Sequence, residues 1–191
     1  MKKAILSAIA VMIFGYINAQ QTKFGVKGGL NISSFSGNNN SKGLLGFHIG
    51  GLAEIKIIER LSVQPEILFS TQGASFDPNG DIIGGDTKLN YINIPVLAKF
   101  YITKKVTVES GPQIGFLVSA RDTGYDVKDM YRSTDLGINF GGGYNFTDHF
   151  AVGLRYTVGL SRVLDSSIYD YNSYHDSAKN SNLALSLEYK F

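Results

Sequence analysis

Phe150-Ala-Val-Gly-Leu-Arg-Tyr-Thr-Val-Gly-Leu160 places a large apolar side chain at every even position and a small or polar one at every odd position. Period two is the repeat of an extended strand, whose successive side chains leave opposite faces, and no helical stripe fits it. Leu183-Ala-Leu-Ser-Leu-Glu-Tyr-Lys-Phe191 repeats the rule at the end of the chain. Working outward from these two, the same alternation marks six further segments. The eight predicted strands cover approximately 23–34, 43–57, 61–76, 88–102, 106–119, 133–146, 150–160 and 183–191.

The connections alternate as well. Those at 58–60, 103–105 and 147–149 are tight, whereas 35–42, 77–87, 120–132 and 161–182 are long. With an even strand number, this rhythm puts the short turns and both termini at one end and the long loops at the other. The fold expected is all-β: an eight-stranded antiparallel up-and-down transmembrane β-barrel. Its transmembrane character follows from volume. The apolar faces carry several times the roughly dozen large side chains that a small barrel interior can hold. Turned outward, they need lipid rather than water. Aromatic residues fit the same orientation, with Phe24, Phe100, Tyr144, Phe146, Phe150, Tyr189 and Phe191 near the short-turn end and Phe47, Phe69 and Phe116 toward the other.

Before the first strand, Met1-Lys2-Lys3 leads into an apolar stretch from Ala4 to Ile17 and a small residue at Ala19. This reads as a secretory signal, residues 1–19, followed by the barrel domain, residues 20–191. Eighteen Lys plus Arg against sixteen Asp plus Glu include Lys2 and Lys3, so the exported chain is neutral, which argues against nucleic acid as a partner. No cysteine is present, which removes disulfides, thiolate metal sites and thiol nucleophiles.

The polar faces supply the candidate functional residues. Lys27, His48, Glu54, Lys56, Glu66, Lys99, Glu109, Arg155, Glu188 and Lys190 should point into the lumen with near charge balance, as buried ions require. If Ile102 pairs with Val106, Lys99 lies across from Glu109; in the hairpin from Phe146 to Phe150, Arg155 lies opposite Gly141. These ions suit a salt-bridged plug, with a narrow conduction path as the alternative. Nothing in the spacing assigns a catalytic residue, a cofactor site or a metal site. His149 falls in a short turn, and His175, in Tyr174-His-Asp-Ser177, has neighbours too close in sequence to form a triad. Tyr169, Tyr171, Tyr174 and His175 make the fourth long loop a candidate surface for an extracellular ligand. A lipid-modifying enzyme is the remaining rival.

Four stretches add a resemblance: Gly25-Val-Lys-Gly-Gly-Leu-Asn31, Gln64-Pro-Glu-Ile-Leu-Phe-Ser70, Tyr91-Ile-Asn-Ile-Pro-Val-Leu-Ala-Lys-Phe-Tyr101 and Gly111-Pro-Gln-Ile-Gly115. In this strand order they resemble the PorT-like outer-membrane β-barrel family. The resemblance implies delivery through the periplasm, insertion into outer-membrane lipid by the assembly machinery, with Phe191 as an assembly signal, and no shared catalytic motif. Some members are linked to protein export, which makes an export-associated role an alternative.

Overall fold

The computed structural model describes residues 22–36, 41–76, 85–164 and 178–191. Among them are β1 (Thr22–Ser36), β2 (Ser41–Ile58), β3 (Leu61–Phe76), β4 (Gly85–Tyr101), β5 (Val106–Asp122), β6 (Tyr125–Asp126), β7 (Thr134–Asn145), β8 (Phe150–Gly159) and β9 (Lys179–Lys190). Every sequential neighbour in the wall pairs antiparallel, β5 passes directly to β7, and β9 returns to β1. The result is a closed eight-stranded barrel. The two-residue β6 is a hairpin extension of β5 outside that wall. The predicted signal and the loop residues Tyr169, Tyr171, Tyr174 and His175 lie outside the described residues.

Register fixes the dimensions of the cylinder. Following directly paired residues from Thr22 leads through Ile55, Val63, Ala98, Ser110, Phe140, Tyr156 and Leu183 back to β1 at Ile32. The circuit from position 22 returns at position 32, a stagger of ten residues. Eight strands with that stagger tilt by about 40° and enclose a backbone cylinder of radius about 8 Å, given ~3.3 Å per residue and ~4.8 Å between strands. Such a bore is filled by side chains and leaves no wide channel.

Outward and inward faces separate by chemistry as the alternation predicts. Leu45, Ile67 and Leu185 are 68%, 61% and 58% exposed on the outer surface, whereas Gln64, Asn139 and Glu66 are 0%, 0% and 2% exposed inside. The polar rows therefore line the bore and the apolar rows meet lipid.

Two short turns share one device. In Ile102-Thr-Lys-Lys-Val106, the Thr103 hydroxyl accepts the backbone N–H groups of Lys105 and Val106 at 3.2 and 3.0 Å. In Phe146-Thr-Asp-His-Phe150, Thr147 accepts those of His149 and Phe150 at 3.2 and 3.0 Å. A threonine directly after the last outward apolar residue thus caps each turn through its side chain.

Toward the long loops, β4 begins at Gly85 rather than at the predicted 88 and β5 ends at Asp122 rather than at 119, whereas β3 keeps its predicted bounds. Above the level of Ile49, Phe69, Ile92 and Phe116, which are paired in sequence around the wall, the outward side chains become Thr71, Asn90 and Ser119. Asn90 donates to the Ser119 hydroxyl at 2.8 Å across the ladder. Ladder pairing continues through this polar stretch of the outer face, so the amphipathic contrast fades while the strand persists. Strand β9 likewise begins at Lys179 rather than at the predicted 183, because Lys179 to Asn182 pair with Ser36 to Ser33.

Leu154 and Leu185 are direct partners on the lipid face of β8 and β9. Replacing either with Arg should weaken insertion by about 2–4 kcal/mol if its level is near the bilayer midplane. Folding into phospholipid vesicles, followed by heat-modifiable gel mobility, measures this; an unaffected variant would refute the outward orientation.

Candidate functional site

Eight charged side chains form one alternating chain through the bore. At one end, Arg155 of β8 donates from Nε to Glu109 Oε1 at 2.7 Å and grips both oxygens of Glu66 at 2.8 Å each. Lys27 Nζ bridges Glu66 and Glu188 at 3.2 and 2.9 Å. Lys99 continues from Glu188 at 3.3 Å to Glu54 at 3.8 Å, and Lys190 ends the series on Glu54 at 2.6 Å. Tyr101 donates its hydroxyl to the other Glu54 oxygen. The order is Glu109, Arg155, Glu66, Lys27, Glu188, Lys99, Glu54, Lys190, with every cation between or beside carboxylates. Such alternation lets buried ions replace the water they have lost.

The eight charges come from β1, β2, β3, β4, β5, β8 and β9. Strand β7 contributes space instead. A Cβ on Gly141, which faces Arg155 across the ladder, would stand 3.0 Å from Glu109 Oε1 and 2.8 Å from the Leu154 carbonyl. The glycine is required where the ion pair passes close to the wall.

The expected Lys99–Glu109 register is present. Their side chains nevertheless part: Lys99 reaches across the bore to Glu188 and the Gln64 oxygen, at 3.3 and 3.0 Å, while Glu109 takes Arg155. Lys56 shares the inward register but is exposed beside the short-turn mouth, outside the chain of ions, because β2 there projects past the filled bore. His149 is exposed in its turn, stacks on Tyr189 and holds the Lys190 carbonyl through Nδ1 at 2.7 Å.

A neutral tier lies beside the ions. His48 Nε2 is 2.9 Å from the Ser186 hydroxyl and its Nδ1 is 3.3 Å from Asn31 Oδ1, while Asn31 donates to the Thr71 carbonyl at 2.7 Å. These are the atom types of a nucleophile, a base and an orienting amide. Asn31, His48 and Ser186 are nevertheless 1%, 4% and 2% exposed, with neighbours on all sides. Acyl transfer needs room for a carbonyl carbon within reach of the hydroxyl and donors for its oxyanion, so enclosure makes this relay structural. Among the described residues, no group of three His, Asp or Glu converges as a metal site.

The long-loop end of the bore is apolar, which the polar lumen expected from sequence did not include. Phe35, Ala74, Leu89, Tyr91, Leu117, Ala120 and Val163 form a buried cluster, with Phe76, Val127, Tyr131 and Ala178 packed on it. Loop backbone ties the lid down. Arg132 N–H donates to the Val163 carbonyl and Val163 N–H to the Ala178 carbonyl, both at 2.9 Å, and Tyr131 bridges to Leu164. At this level Gly73 has φ +138°, where a Cβ would run into the Thr87 carbonyl, and its N–H reaches inward to the Ser33 hydroxyl at 2.8 Å. The parity of Leu89, Tyr91 and Leu117 does point inward in the sequence; their meeting at one height depends on the stagger.

Glu66 holds Arg155, Lys27 and the Gln64 amide, whereas Glu109 holds only the Arg155 Nε among these. Glu66→Gln should therefore cost about 3–5 kcal/mol of folding free energy. For Glu109→Gln, which leaves Arg155 its paired carboxylate, about 1–2 kcal/mol is expected. Urea titrations in vesicles give the order, and equal losses would contradict the connectivity. A fluorophosphonate should leave Ser186 unlabelled in the folded barrel by mass spectrometry; labelling would show that the relay opens.

Known structures share this architecture. Neisserial surface protein A aligns with a TM-score of 0.60 at 16% identity, over 88% of this chain and 97% of its own. Ail, the attachment invasion locus protein of Yersinia pestis, in complex with the heparin analogue sucrose octasulfate, aligns with a TM-score of 0.50 at 17% identity, over 90% of this chain and 100% of its own. Among curated proteins, no sequence matches this chain. Residues 18–165 match the family described as outer membrane protein beta-barrel domain. With the lipid-facing surface and the closed ladder in place, the chain belongs to that family and is an outer-membrane protein.

Proposed function

We propose that this protein is a non-enzymatic, non-conducting barrel that supports the envelope and presents its long loops to an extracellular partner. One observation carries the reading: the bore is closed twice in series, by the alternating ions from Glu109 to Lys190 and by the apolar cluster around Leu89, Tyr91 and Leu117. A permeating ion would have to break the first and cross the second without water. With the interior spent on stability, specific contact falls to the outer ends. The candidate contact residues are Tyr169, Tyr171, Tyr174 and His175, whose aromatic and hydrogen-bonding groups suit recognition.

A cut after Ala19 would release the barrel domain into the periplasm, and Phe191 would present the terminal aromatic to the assembly machinery. Phe191 is 67% exposed on the outer surface, and its N–H donates to the Phe24 carbonyl at 2.8 Å. The Tyr91-Ile-Asn-Ile-Pro95 stretch supports a PorT-like affiliation within the family. The complex of Ail with a heparin analogue supports ligand recognition as a use to which this fold can be put.

Purified protein in planar bilayers should give no conductance above the lipid background, and steady channels would restore the narrow-pore alternative. Deleting 166–176 leaves Val163 and Ala178 in the apolar cluster, so the barrel should still insert. A strain carrying that deletion should lose adhesion while keeping envelope permeability unchanged; unchanged adhesion would remove the fourth loop from the proposal.

A further inference from the structure

The short-turn mouth differs in construction from the capped end. A vestibule of about 830 Å³ opens there, lined by Lys23, Lys56, Arg60, Lys104, Glu59 and Asp148 among others. It is continuous, through Lys23, Glu54, Tyr101 and Lys104, with a second recess of about 290 Å³ that adds Lys105 and Lys190. Its floor is the end of the buried ion series, where Lys190 and Tyr101 already satisfy Glu54. The lining cations have no such partners. Lys23, Lys56, Arg60, Lys104 and Lys105 are exposed, and none forms an ion pair among the described residues.

Charge along the axis sharpens the contrast. Over residues 22–191 the sequence has sixteen cations and sixteen anions. Four of each neutralise one another in the bore. The five vestibule cations face two anions, Glu59 and Asp148. The other seven cations and ten Asp fall, in the sequence, within the long connections and the strand ends beside them. Counted along the sequence, the long connections with their strand ends, the bore and the short turns with theirs carry −3, 0 and +3. A concave site of one sign focuses its potential on counter-ions that enter it.

We propose that this vestibule receives a carboxylate-rich, flexible polypeptide segment from the periplasm, the compartment that short turns of outer-membrane barrels face. Its geometry selects that partner. The lining shares one concavity with inward residues Ser62, Glu54 and Tyr101, so the cations converge on the barrel axis rather than fanning out toward lipid headgroups. A mouth set by a cylinder of radius about 8 Å admits an extended chain and excludes a folded surface. Lysines on long stems follow a mobile acidic chain without demanding one bidentate geometry. The inference is independent of what the extracellular loops bind.

The full chain, refolded into phosphatidylcholine nanodiscs, is titrated with fluorescein-labelled hexaglutamate and read by anisotropy. Saturable binding is expected that weakens with added salt and is absent for hexalysine. In the variant K23Q/K56Q/K104Q/K105Q the affinity should fall about tenfold or more. In K88Q/R121Q, which removes cations from the opposite mouth, it should stay within about twofold. Heat-modifiable mobility verifies that each variant has folded, and the single reversals Lys56→Glu and Lys104→Glu carry the same expectation should the fourfold variant fail to insert. No saturable binding, or an equal fall in both multiple variants, overturns the proposal. So does loss of wild-type binding when the disc lipid is changed to phosphatidylglycerol, which would assign these lysines to anionic headgroups instead.

Discussion

A backbone amide in hydrocarbon has no water to fall back on, so every strand in the bilayer must find hydrogen-bond partners on both edges. The β1–β9 seam meets that demand. It runs through twelve partner pairs from Gly25↔Lys190 to Ser36↔Lys179, and the Phe191 N–H adds a bond to Phe24 beyond them. Closure then dictates the interior. Eight strands with a ten-residue stagger leave a bore too narrow for a water column and too wide to stay empty, so side chains of fixed total volume must occupy it.

The occupants also specify the register. A slip of one residue in β8 would send Arg155 into lipid and bring Leu154 inside, and it would strip Glu109 of its cation and leave Glu66 with Lys27 alone. A slip in β9 would expose Glu188 and remove the link between Lys27 and Lys99. Buried ion pairs are weak evidence for net stability, since hydrophobic replacements often do as well. Their strength here is negative: an arrangement that breaks the alternation leaves a bare charge in a low-dielectric interior, which costs more than any single correct pair contributes. The alternating series discriminates among registers that the repetitive apolar exterior, with Val152, Leu154 and Val158 on β8 and Leu183, Leu185 and Leu187 on β9, would tolerate.

Strand number, order and the facing of nearly every side chain in the wall were legible in the sequence, because lipid outside and polar packing inside impose opposite chemistry on alternate residues. Legibility ended where one of those solvents ended. From Thr71, Asn90 and Ser119 the outer face is polar like the inner one; the predicted strands still reach these residues, but 85–87 of β4 and 120–122 of β5 left no contrast to read. Charge balance in the bore was likewise countable, but partner choice was not. Lys99 sits across from Glu109 in register and bonds elsewhere, since long side chains in a cylinder this narrow reach over the axis as easily as to the next strand. The relay from Asn31 through His48 to Ser186 joins β1, β2 and β9, and only the closed seam brings it together.

The apolar cap changes what the two ends can do. Because Val163 and Ala178 fold down onto Leu89, Tyr91 and Leu117, the bases of the third and fourth long connections are anchored to the wall by burial and by backbone bonds. A rigid support of this kind is the condition for a recognition loop. Among the described residues the short-turn end has no such lid, and a vestibule opens outside the Glu54–Lys190 pair. Between the two lie ions whose pairing leaves no spare valence and an apolar layer that excludes water. A filled, tightly paired interior between two differently built mouths favours the proposed reading, in which the molecule makes separate contacts on the two sides of the membrane rather than passing material between them.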